Sequence, residues 1–253
     1  MLIDSHCHLY LDEFKQDIEE VMIRAKNAGV ERFYMPAIDS STTDAMFGIE
    51  QQYPGICISM MGLHPCSVKE LYKHEIELVN DWLTKRKFAA IGEIGLDFYW
   101  DKTFIKEQYE AFNMQIELAI QYNLPIVIHT RDAMAETIEV VKNYTGKVKG
   151  IFHCFGGSLE EANQIIDLGF LMGIGGVVTY KKSGLAEVIK AIDLQHIVLE
   201  TDAPFLTPVP FRGKRNESSY LEYVQEKIAE VKNITTEEVA RITTANALQI
   251  FAY

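Results

Sequence analysis

Short apolar runs recur along the chain and are separated by longer, mixed segments. Eight of these runs have the length and apolar content that are typical of buried β-strands. They cover residues 2–6, 32–37, 56–62, 88–93, 125–129, 148–153, 170–176 and 196–201. The pattern therefore predicts eight strands distributed along the chain.

The segments between these runs have the periodicity of amphipathic helices. One stripe follows the i, i+3, i+4, i+7 rule and comprises Ile18, Val21, Met22 and Ala25. A longer stripe comprises Ile105, Tyr109, Phe112, Ile116 and Ile120. Gly29 is placed to end the first of these helices. Thr235 and Glu238 have the spacing of a capping box, which predicts the start of the last helix.

Alternating strands and helices imply parallel strands joined by right-handed crossovers. Eight such units predict an α/β fold in which residues 1–253 form a single (β/α)8 TIM barrel with C-terminal helices. An open, doubly wound sheet is the alternative, but it usually carries a glycine-rich phosphate-binding turn after its first strand. Residues 9–17, which follow the first strand here, contain no glycine. In a barrel, the polar stretch at 207–219 lies over the active-site face.

The net charge argues against an extended nucleic-acid-binding surface. The chain has 36 acidic and 24 basic residues and a formal net charge of −12, whereas nucleic-acid-binding domains usually present an extended basic surface. A small phosphate site remains compatible with this charge if metal ions supply the positive charge. The four cysteines form no CxxC pair, and we find neither a secretory leader nor a membrane-spanning apolar stretch. These features predict a cytoplasmic protein with reduced thiols that does not enter membranes.

The first strand ends in two histidines that are separated by one cysteine. Side chains two residues apart on a strand share a face, so His6 and His8 should point to one side and Cys7 to the other. Such a pair is suited to holding one metal ion. Two hydrogen-bonded histidines in the core are the alternative interpretation.

Further potential ligands occur at the C-terminal ends of later strands, where the active sites of TIM barrels lie. They are Glu93, His129, His153 and Asp202. With His6 and His8, they make four imidazoles and two carboxylates, a set that suits borderline divalent ions. Six ligands exceed the three that a single catalytic zinc typically takes from the protein. The set therefore predicts two ions about 3.5–4 Å apart that share one carboxylate.

Five sequence blocks, in their order and spacing, resemble those of a known family. They are SHCHL at 5–9, GEIGLDFYW at 92–100, PIVIHTRDA at 125–133, FHCFGG at 152–157 and ETDAPFL at 200–206. GLHP at 62–65 and TTANA at 243–247 also match. From residue 2 to the C-terminal helix, the chain resembles the TatD-related metal-dependent deoxyribonucleases, which belong to the amidohydrolase-like barrel superfamily.

The resemblance implies a ligand set and an activity. The first ion would be held by His6, His8 and Asp202, the second by His129 and His153, and Glu93 would bridge both. The implied reaction is hydrolysis of phosphodiester bonds in DNA, often as a 3′ exonuclease, with single-stranded DNA or 3′ ends as substrate and no obligate protein partner. Ser218 departs from the family pattern, which has proline there, and without the ring's constraint on φ we expect a less rigid loop.

A two-ion site predicts hydrolysis by an activated water molecule, whose pKa falls to about 7 beside a divalent metal. Asp202 is the expected group that orients this water and accepts its proton, with Glu93 as the second catalytic carboxylate. The metal itself stays open among magnesium, manganese and zinc. Asp4 and Glu200 share strand faces with the ligands and could accept the outer N–H groups of ligand imidazoles. Buried ion pairs are the alternative for both carboxylates.

Basic and aromatic side chains near the ligands are candidates for substrate contact. Arg131 follows His129 by two residues and could hold a phosphate with its two N–H edges, and His64 ends the third strand on the same face. A tight basic cluster comprises Arg212, Lys214 and Arg215. For the arginines, ordinary surface pairing is the alternative. The aromatic run Phe98, Tyr99 and Trp100 could stack on exposed bases or pack against a neighbouring loop.

Two other functions compete with DNA hydrolysis. A metal-dependent hydrolase of ester, amide or lactone bonds, including aminoacyl-tRNA esters, would use much of the same ligand set. Against the cyclic-amide branch, no clear lysine ends a strand to form a carbamylated bridge, a role that Glu93 takes here. A metal-stabilised adaptor without activity would be favoured by the loss of ligands, and all six are present.

Overall fold

Eight strands occur at the predicted positions in a computed structural model that describes residues 1–251, so the predicted domain range ends two residues beyond the described part. The strands are β1 (Leu2–Asp4), β2 (Val30–Met35), β3 (Cys57–Ser59), β4 (Ile91–Asp97), β5 (Ile126–Arg131), β6 (Gly150–Phe152), β7 (Leu171–Ile174) and β8 (Ile197–Leu199). Several are shorter than the apolar runs that predicted them, whereas β4 continues to Asp97. The additional residues of β4 extend it toward the polar end of the sheet.

Helices fill the segments between the strands. They are α1 (Ile18–Asn27), α2 (Thr43–Gln52), α3 (Tyr72–Lys85), α4 (Ile105–Tyr122), α5 (Met134–Lys142), α6 (Leu159–Asp167), α7 (Leu185–Ala191), α8 (Leu221–Lys232) and α9 (Thr236–Ile250). The Thr235 side chain accepts a hydrogen bond from the Glu238 N–H, as the predicted start of the last helix requires. Across residues 1–251, every helix is too short or too polar to span a bilayer, and the cytoplasmic location stays a prediction.

All neighbouring strands pair in parallel, in the order of the sequence. Strands β1 to β3 form one sheet and β4 to β8 another. Parallel bridges between Met61 and Ile91 and between Cys7 and Ala203 connect the two sheets at both edges. The His8 N–H also donates to the Ala203 carbonyl over 2.8 Å. The strands thus run around a barrel, and the predicted α/β TIM-barrel fold is confirmed.

Apolar side chains fill the N-terminal end of the barrel. One from each of six strands lies in a common cluster: Ile3, Tyr34, Ile58, Val127, Ile151 and Val198. The end of α9 closes this cluster, where the rings of Tyr34 and Phe251 stack with centroids 4.2 Å apart. The polar strand-end residues lie at the opposite, C-terminal end of the strands.

The loop that carries Ser218 is tied to the first strand. Ser218 is fully buried, and its hydroxyl donates a hydrogen bond of 2.6 Å to the Asp4 carboxylate. Proline has no hydroxyl and could not make this bond. The bond opposes the loss of rigidity that we expect from the absence of proline.

Candidate metal centre

The six predicted ligands come together at the C-terminal ends of the strands. His6, His8, Glu93 and His153 are buried, and His129 and Asp202 are partly buried. The two first-strand histidines lie just beyond β1, with their Nε2 atoms 3.3 Å apart. Cys7 between them turns away, and its thiol contacts the Tyr34 carbonyl. The two imidazoles therefore converge, as the spacing predicts.

Glu93 lies at the middle of this group, and its two oxygens face different histidines. Its Oε2 is 3.1 Å from His6 Nε2 and 3.6 Å from His8 Nε2. Its Oε1 is 2.8 Å from both His129 Nδ1 and His153 Nε2. The two oxygens of one carboxylate thus face two different pairs of imidazoles, as those of a bridging ligand would. The pairs adjoin each other, since the rings of His6 and His153 stack with centroids 3.8 Å apart.

Asp202 lies on the side of the first histidine pair. Its Oδ1 is 3.7 Å from the Nε2 atoms of both His6 and His8. The Asp202 N–H donates to the His6 carbonyl over 2.9 Å, so the backbone at the end of β8 is held against the residues after β1. Asp202 also has a left-handed φ of 56°, a conformation that aspartate tolerates better than most residues. Local backbone geometry therefore directs this carboxylate toward the centre.

Two neighbours that the sequence analysis did not single out set the orientation of the imidazoles. Tyr10 donates its hydroxyl proton to the Pro36 carbonyl over 2.6 Å and lies 2.8 Å from His8 Nδ1. It therefore accepts the His8 Nδ1–H, which leaves the Nε2 lone pair facing the centre. Asp97 lies 2.9 Å from His129 Nε2 and directs Nδ1 toward Glu93 in the same way. Asp97 shares a strand face with Glu93, which was a usable signal in the sequence.

The two carboxylates predicted to support the ligands behave differently. Glu200 is buried and lies 3.5 Å from His153 Nδ1, the outer nitrogen of that ring. Asp4 instead accepts hydrogen bonds of 2.6 Å from the hydroxyls of Thr201 and Ser218. Neither interpretation of Asp4 was right, because within residues 1–251 it contacts no imidazole and forms no ion pair. The prediction assumed that Asp4 and the two histidines lie on one continuous strand. In the structure, β1 ends at Asp4 and the chain then bends.

The four imidazoles of the centre differ in protonation. Although burial acts in the opposite direction, Glu93 and Glu200 raise the pKa of His153 well above its usual value, and Asp97 and Glu93 raise that of His129. Burial lowers the pKa of His6 to about 4 and that of His8 well below its usual value, so both keep free lone pairs near neutral pH. Burial raises the pKa of Asp202 to about 8, so its ionised, proton-accepting form near neutral pH requires a cation beside it. Burial also acts against ionisation of Glu93, but the imidazoles of His153 and His6 hold its pKa well below the usual range.

The nitrogen and oxygen atoms that face one another around Glu93 are suited to binding a cation. His129 Nδ1 and His153 Nε2 both lie 2.8 Å from one Glu93 oxygen. Contacts between a carboxylate oxygen and lone-pair nitrogens require a proton or a cation between them. Imidazole nitrogens and carboxylate oxygens in this number are ligands of zinc and manganese. The residues present therefore fit divalent metal ions.

His64 lies in the centre as a hydrogen-bond donor. Its Nδ1 accepts the Cys66 N–H over 3.0 Å, so in the neutral ring Nε2 carries the proton. That Nε2 lies 3.4 Å from Glu93 Oε1. Since burial lowers the pKa of His64, the ring is neutral near pH 7 and presents an N–H group. The position suits the predicted substrate contact better than metal ligation.

The predicted arginines have different surroundings. Arg131 lies over the Tyr99 ring, 3.8 Å from its centroid, and Arg212 lies 4.2 Å over Tyr180. Arg215 forms a two-bond ion pair of 2.7 Å with Asp17 at the start of α1. For Arg215 the structure therefore favours the surface-pairing alternative.

Gly173 on β7 leaves the space that the Glu200 carboxylate occupies beside His153. A Cβ at this position would overlap the Glu200 carboxylate and come within 3.2 Å of the His153 Cα. We expect Gly173→Ala to displace Glu200, to weaken metal binding about 10- to 100-fold and to destabilise the fold by about 1–3 kcal/mol. Calorimetric titration with Mn²⁺ and thermal unfolding measure the two effects.

Gly48 in α2 is the matched control for this substitution. No atom lies within 4 Å of a Cβ at Gly48, so Gly48→Ala should leave metal affinity unchanged and stabilise the helix by about 0.5–1 kcal/mol. If Gly173→Ala bound Mn²⁺ as tightly as the parent protein, Glu200 would have no part in the metal centre.

Comparison with known proteins finds relatives over nearly the whole length of the chain. The family model described as TatD related DNase matches residues 3–252. The uncharacterized metal-dependent hydrolase YabD of Bacillus subtilis is 42% identical over 253 residues, 99% of both chains. The 3′-5′ ssDNA/RNA exonuclease TatD of Pectobacterium parmentieri is 32% identical over 257 residues, again 99% of both. The crystal structure of the TatD homolog YjjV from Escherichia coli superposes with a TM-score of 0.93 at 28% identity, covering 100% of this chain and 98% of that one.

Proposed function

Since this chain belongs to the TatD-related DNase family of metal-dependent hydrolases, we propose that it cleaves phosphodiester bonds of DNA with two divalent ions, as a 3′ exonuclease on single strands. The relative from Pectobacterium parmentieri, which is named a 3′-5′ ssDNA/RNA exonuclease, supports the direction and the strandedness. The net charge of −12 is compatible with an anionic substrate because the metal ions neutralise the site locally.

The observation that carries this proposal is the division of Glu93 between two histidine pairs. Its Oε2 faces His6 and His8, and its Oε1 faces His129 and His153. Two-ion sites with a shared carboxylate stabilise both the attacking and the leaving oxygen of a phosphodiester. Asp202 lies beside the first histidine pair, so each of two ions would have its own protein ligands in addition to Glu93.

The residues around the candidate metal centre have different roles in the proposed hydrolysis. When bound, the two ions supply an acidified water molecule and positive charge for the phosphate oxygens. Asp202, the more exposed carboxylate at 13%, orients the attacking water and accepts its proton. The Nε2–H of His64 donates to a phosphate oxygen. Tyr10 and Asp97 hold their imidazoles, so that the ligands do not reorient during the reaction.

Reconstitution tests the activity and the metal together. Metal-free protein is supplied with Mg²⁺, Mn²⁺ or Zn²⁺ and incubated with single-stranded DNA labelled at its 5′ end. We expect a ladder of products shortened one nucleotide at a time from the 3′ end. RNA, a lactone and an aminoacyl-tRNA are the comparison substrates. Cleavage of the lactone or of the aminoacyl ester, with intact DNA under every metal, would replace the nuclease by the alternative hydrolase.

Replacing Arg212 and replacing Arg215 by alanine should have different effects. Arg212→Ala is expected to raise KM for DNA most at low salt, because a lost phosphate contact reduces the slope of log K against log salt by about 0.7 for a single strand. Arg215→Ala should instead lower stability slightly, by less than about 1 kcal/mol, because it breaks a surface ion pair with Asp17. Steady-state kinetics from low to high salt measure the first effect. A KM of Arg212→Ala that equals the parent value at every salt concentration excludes this residue from the substrate path.

A further inference from the structure

Two large aromatic side chains project into solvent from the turn after β4. Tyr99 is 50% exposed and Trp100 is 68% exposed, with ring centroids 4.9 Å apart in a T-shaped arrangement. Phe98, the preceding residue, is instead partly buried and lies near Tyr109. Of the two interpretations of this aromatic run, packing therefore applies to Phe98, whereas Tyr99 and Trp100 stay exposed to solvent.

Arg131 joins this aromatic pair from the neighbouring strand. Its guanidinium lies 3.8 Å from the Tyr99 ring centroid and 5.2 Å from that of Trp100. Within residues 1–251, its N–H groups form no hydrogen bond and no ion pair. An open cleft of about 450 Å³ runs along Arg131 toward Cys154. The surface thus combines two exposed aromatic rings with N–H donors of Arg131 that form no hydrogen bond and with a cleft beside Arg131.

One buried carboxylate connects this surface to the candidate metal centre. Asp97 Oδ1 accepts the N–H groups of Tyr99 and Trp100 over 3.0 and 3.1 Å. Its other oxygen, Oδ2, lies 2.9 Å from Nε2 of the ligand His129. The aromatic turn and the imidazole are therefore held by the same side chain, and their relative position is defined by short hydrogen bonds.

We propose that Tyr99, Trp100 and Arg131 form a subsite that stacks one unpaired base of single-stranded DNA while Arg131 binds an adjacent phosphate. The proposal rests on the proposed function for the identity of the substrate. Aromatic side chains bind any base through its flat face, and a base within a duplex has both faces covered by its neighbours. The subsite therefore selects single strands over duplexes and holds their backbone beside the candidate metal centre, to which Asp97 connects it.

Fluorescence provides a direct test, because the chain has two tryptophans. In a Trp82→Phe background, Trp100 is the remaining tryptophan. A single-stranded oligodeoxynucleotide with phosphorothioate linkages, which resist cleavage, should quench its emission on binding. In the parent protein, Trp100→Ala should raise the Kd for the same oligonucleotide, measured by anisotropy, roughly 5- to 150-fold. Trp100→Phe keeps an aromatic face and should restore most of the affinity.

An oligonucleotide with abasic sites separates base stacking from phosphate binding. It should bind the parent protein as weakly as the normal oligonucleotide binds Trp100→Ala, and Trp100→Ala should weaken it no further. Leu71→Ala, at another exposed apolar residue (73% exposed), is the control and should leave both affinities unchanged. Equal Kd values for the normal and abasic oligonucleotides, or for the parent and Trp100→Ala, would overturn the subsite.

Cleavage of the unmodified oligonucleotide distinguishes the two proposals. If the parent and Trp100→Ala degrade DNA with the same KM, the nuclease function stands and the subsite is wrong. If Trp100 is quenched by DNA and Trp100→Ala binds it weakly, but no divalent metal gives cleavage, the subsite stands and the nuclease function is wrong.

Discussion

Replacing Glu93 by glutamine is expected to reduce kcat/KM for DNA by about two to three orders of magnitude. Glutamine has nearly the same shape but offers one oxygen in place of two. Its amide N–H2 would face one of the histidine pairs, and the lone pairs that otherwise bind a metal ion would accept these N–H groups. One half of the centre would therefore lose its metal, and a buried negative charge that balances both ions would disappear.

Metal stoichiometry and stability separate this effect from a general folding defect. We expect elemental analysis to show a loss of at least one of two bound ions in Glu93→Gln. In the presence of a chelator, its melting temperature should be lower than that of the parent, because the imidazoles of His129 and His153 lose the buried carboxylate that both contact at 2.8 Å. The increase in melting temperature on adding Mn²⁺ should shrink. Glu160→Gln, at an exposed position in the first turn of α6, is the matched control and should behave like the parent. Two bound ions and normal turnover in Glu93→Gln would rule out the bridge.

Asp202→Asn is expected to have the second large effect, a loss of about 10²- to 10⁴-fold in kcat, which is the range for a group that accepts a proton in the transition state. The amide keeps one oxygen near the first histidine pair but cannot take the proton from an attacking water. It also removes negative charge beside His6 and His8, from which Asp202 Oδ1 is 3.7 Å away. The affinity for the first ion should fall as well.

Kinetics at increasing metal concentration distinguish the two roles of Asp202. If Asp202 were a ligand alone, saturating metal would restore kcat in Asp202→Asn. We expect kcat to stay low at saturation, since the proton acceptor is absent. Asp81→Asn, an exposed aspartate in α3, is the control for the change in net charge. Unchanged hydrolysis by Asp202→Asn would remove Asp202 from the reaction.

The order of elements and the gathering of the six candidate ligands could be predicted without a structure. Apolar runs and helical stripes are local patterns, and alternating strands and helices allow few topologies. Once the barrel is inferred, a residue at the end of a strand has a known position, because all parallel strands end on the same face. This is why His129 and His153, 24 residues apart in the chain, could be placed together from the sequence.

The surroundings of each candidate ligand depended on contacts that no local pattern contains. Glu200 lies below His153 because Gly173 on another strand leaves the space. Arg215 is bound to Asp17, 198 residues away in the chain, although the sequence places it in a basic cluster.

The barrel, its strand order and the residue types at its polar end follow from the amino-acid sequence, because periodicity and strand ends are local properties. The tertiary structure alone decided which oxygen of Glu93 faces which imidazoles, which nitrogen of each ring is free, and that Trp100 is exposed. Those facts depend on hydrogen bonds and packing between side chains that are distant in sequence, whose directions are set only when the chain has folded.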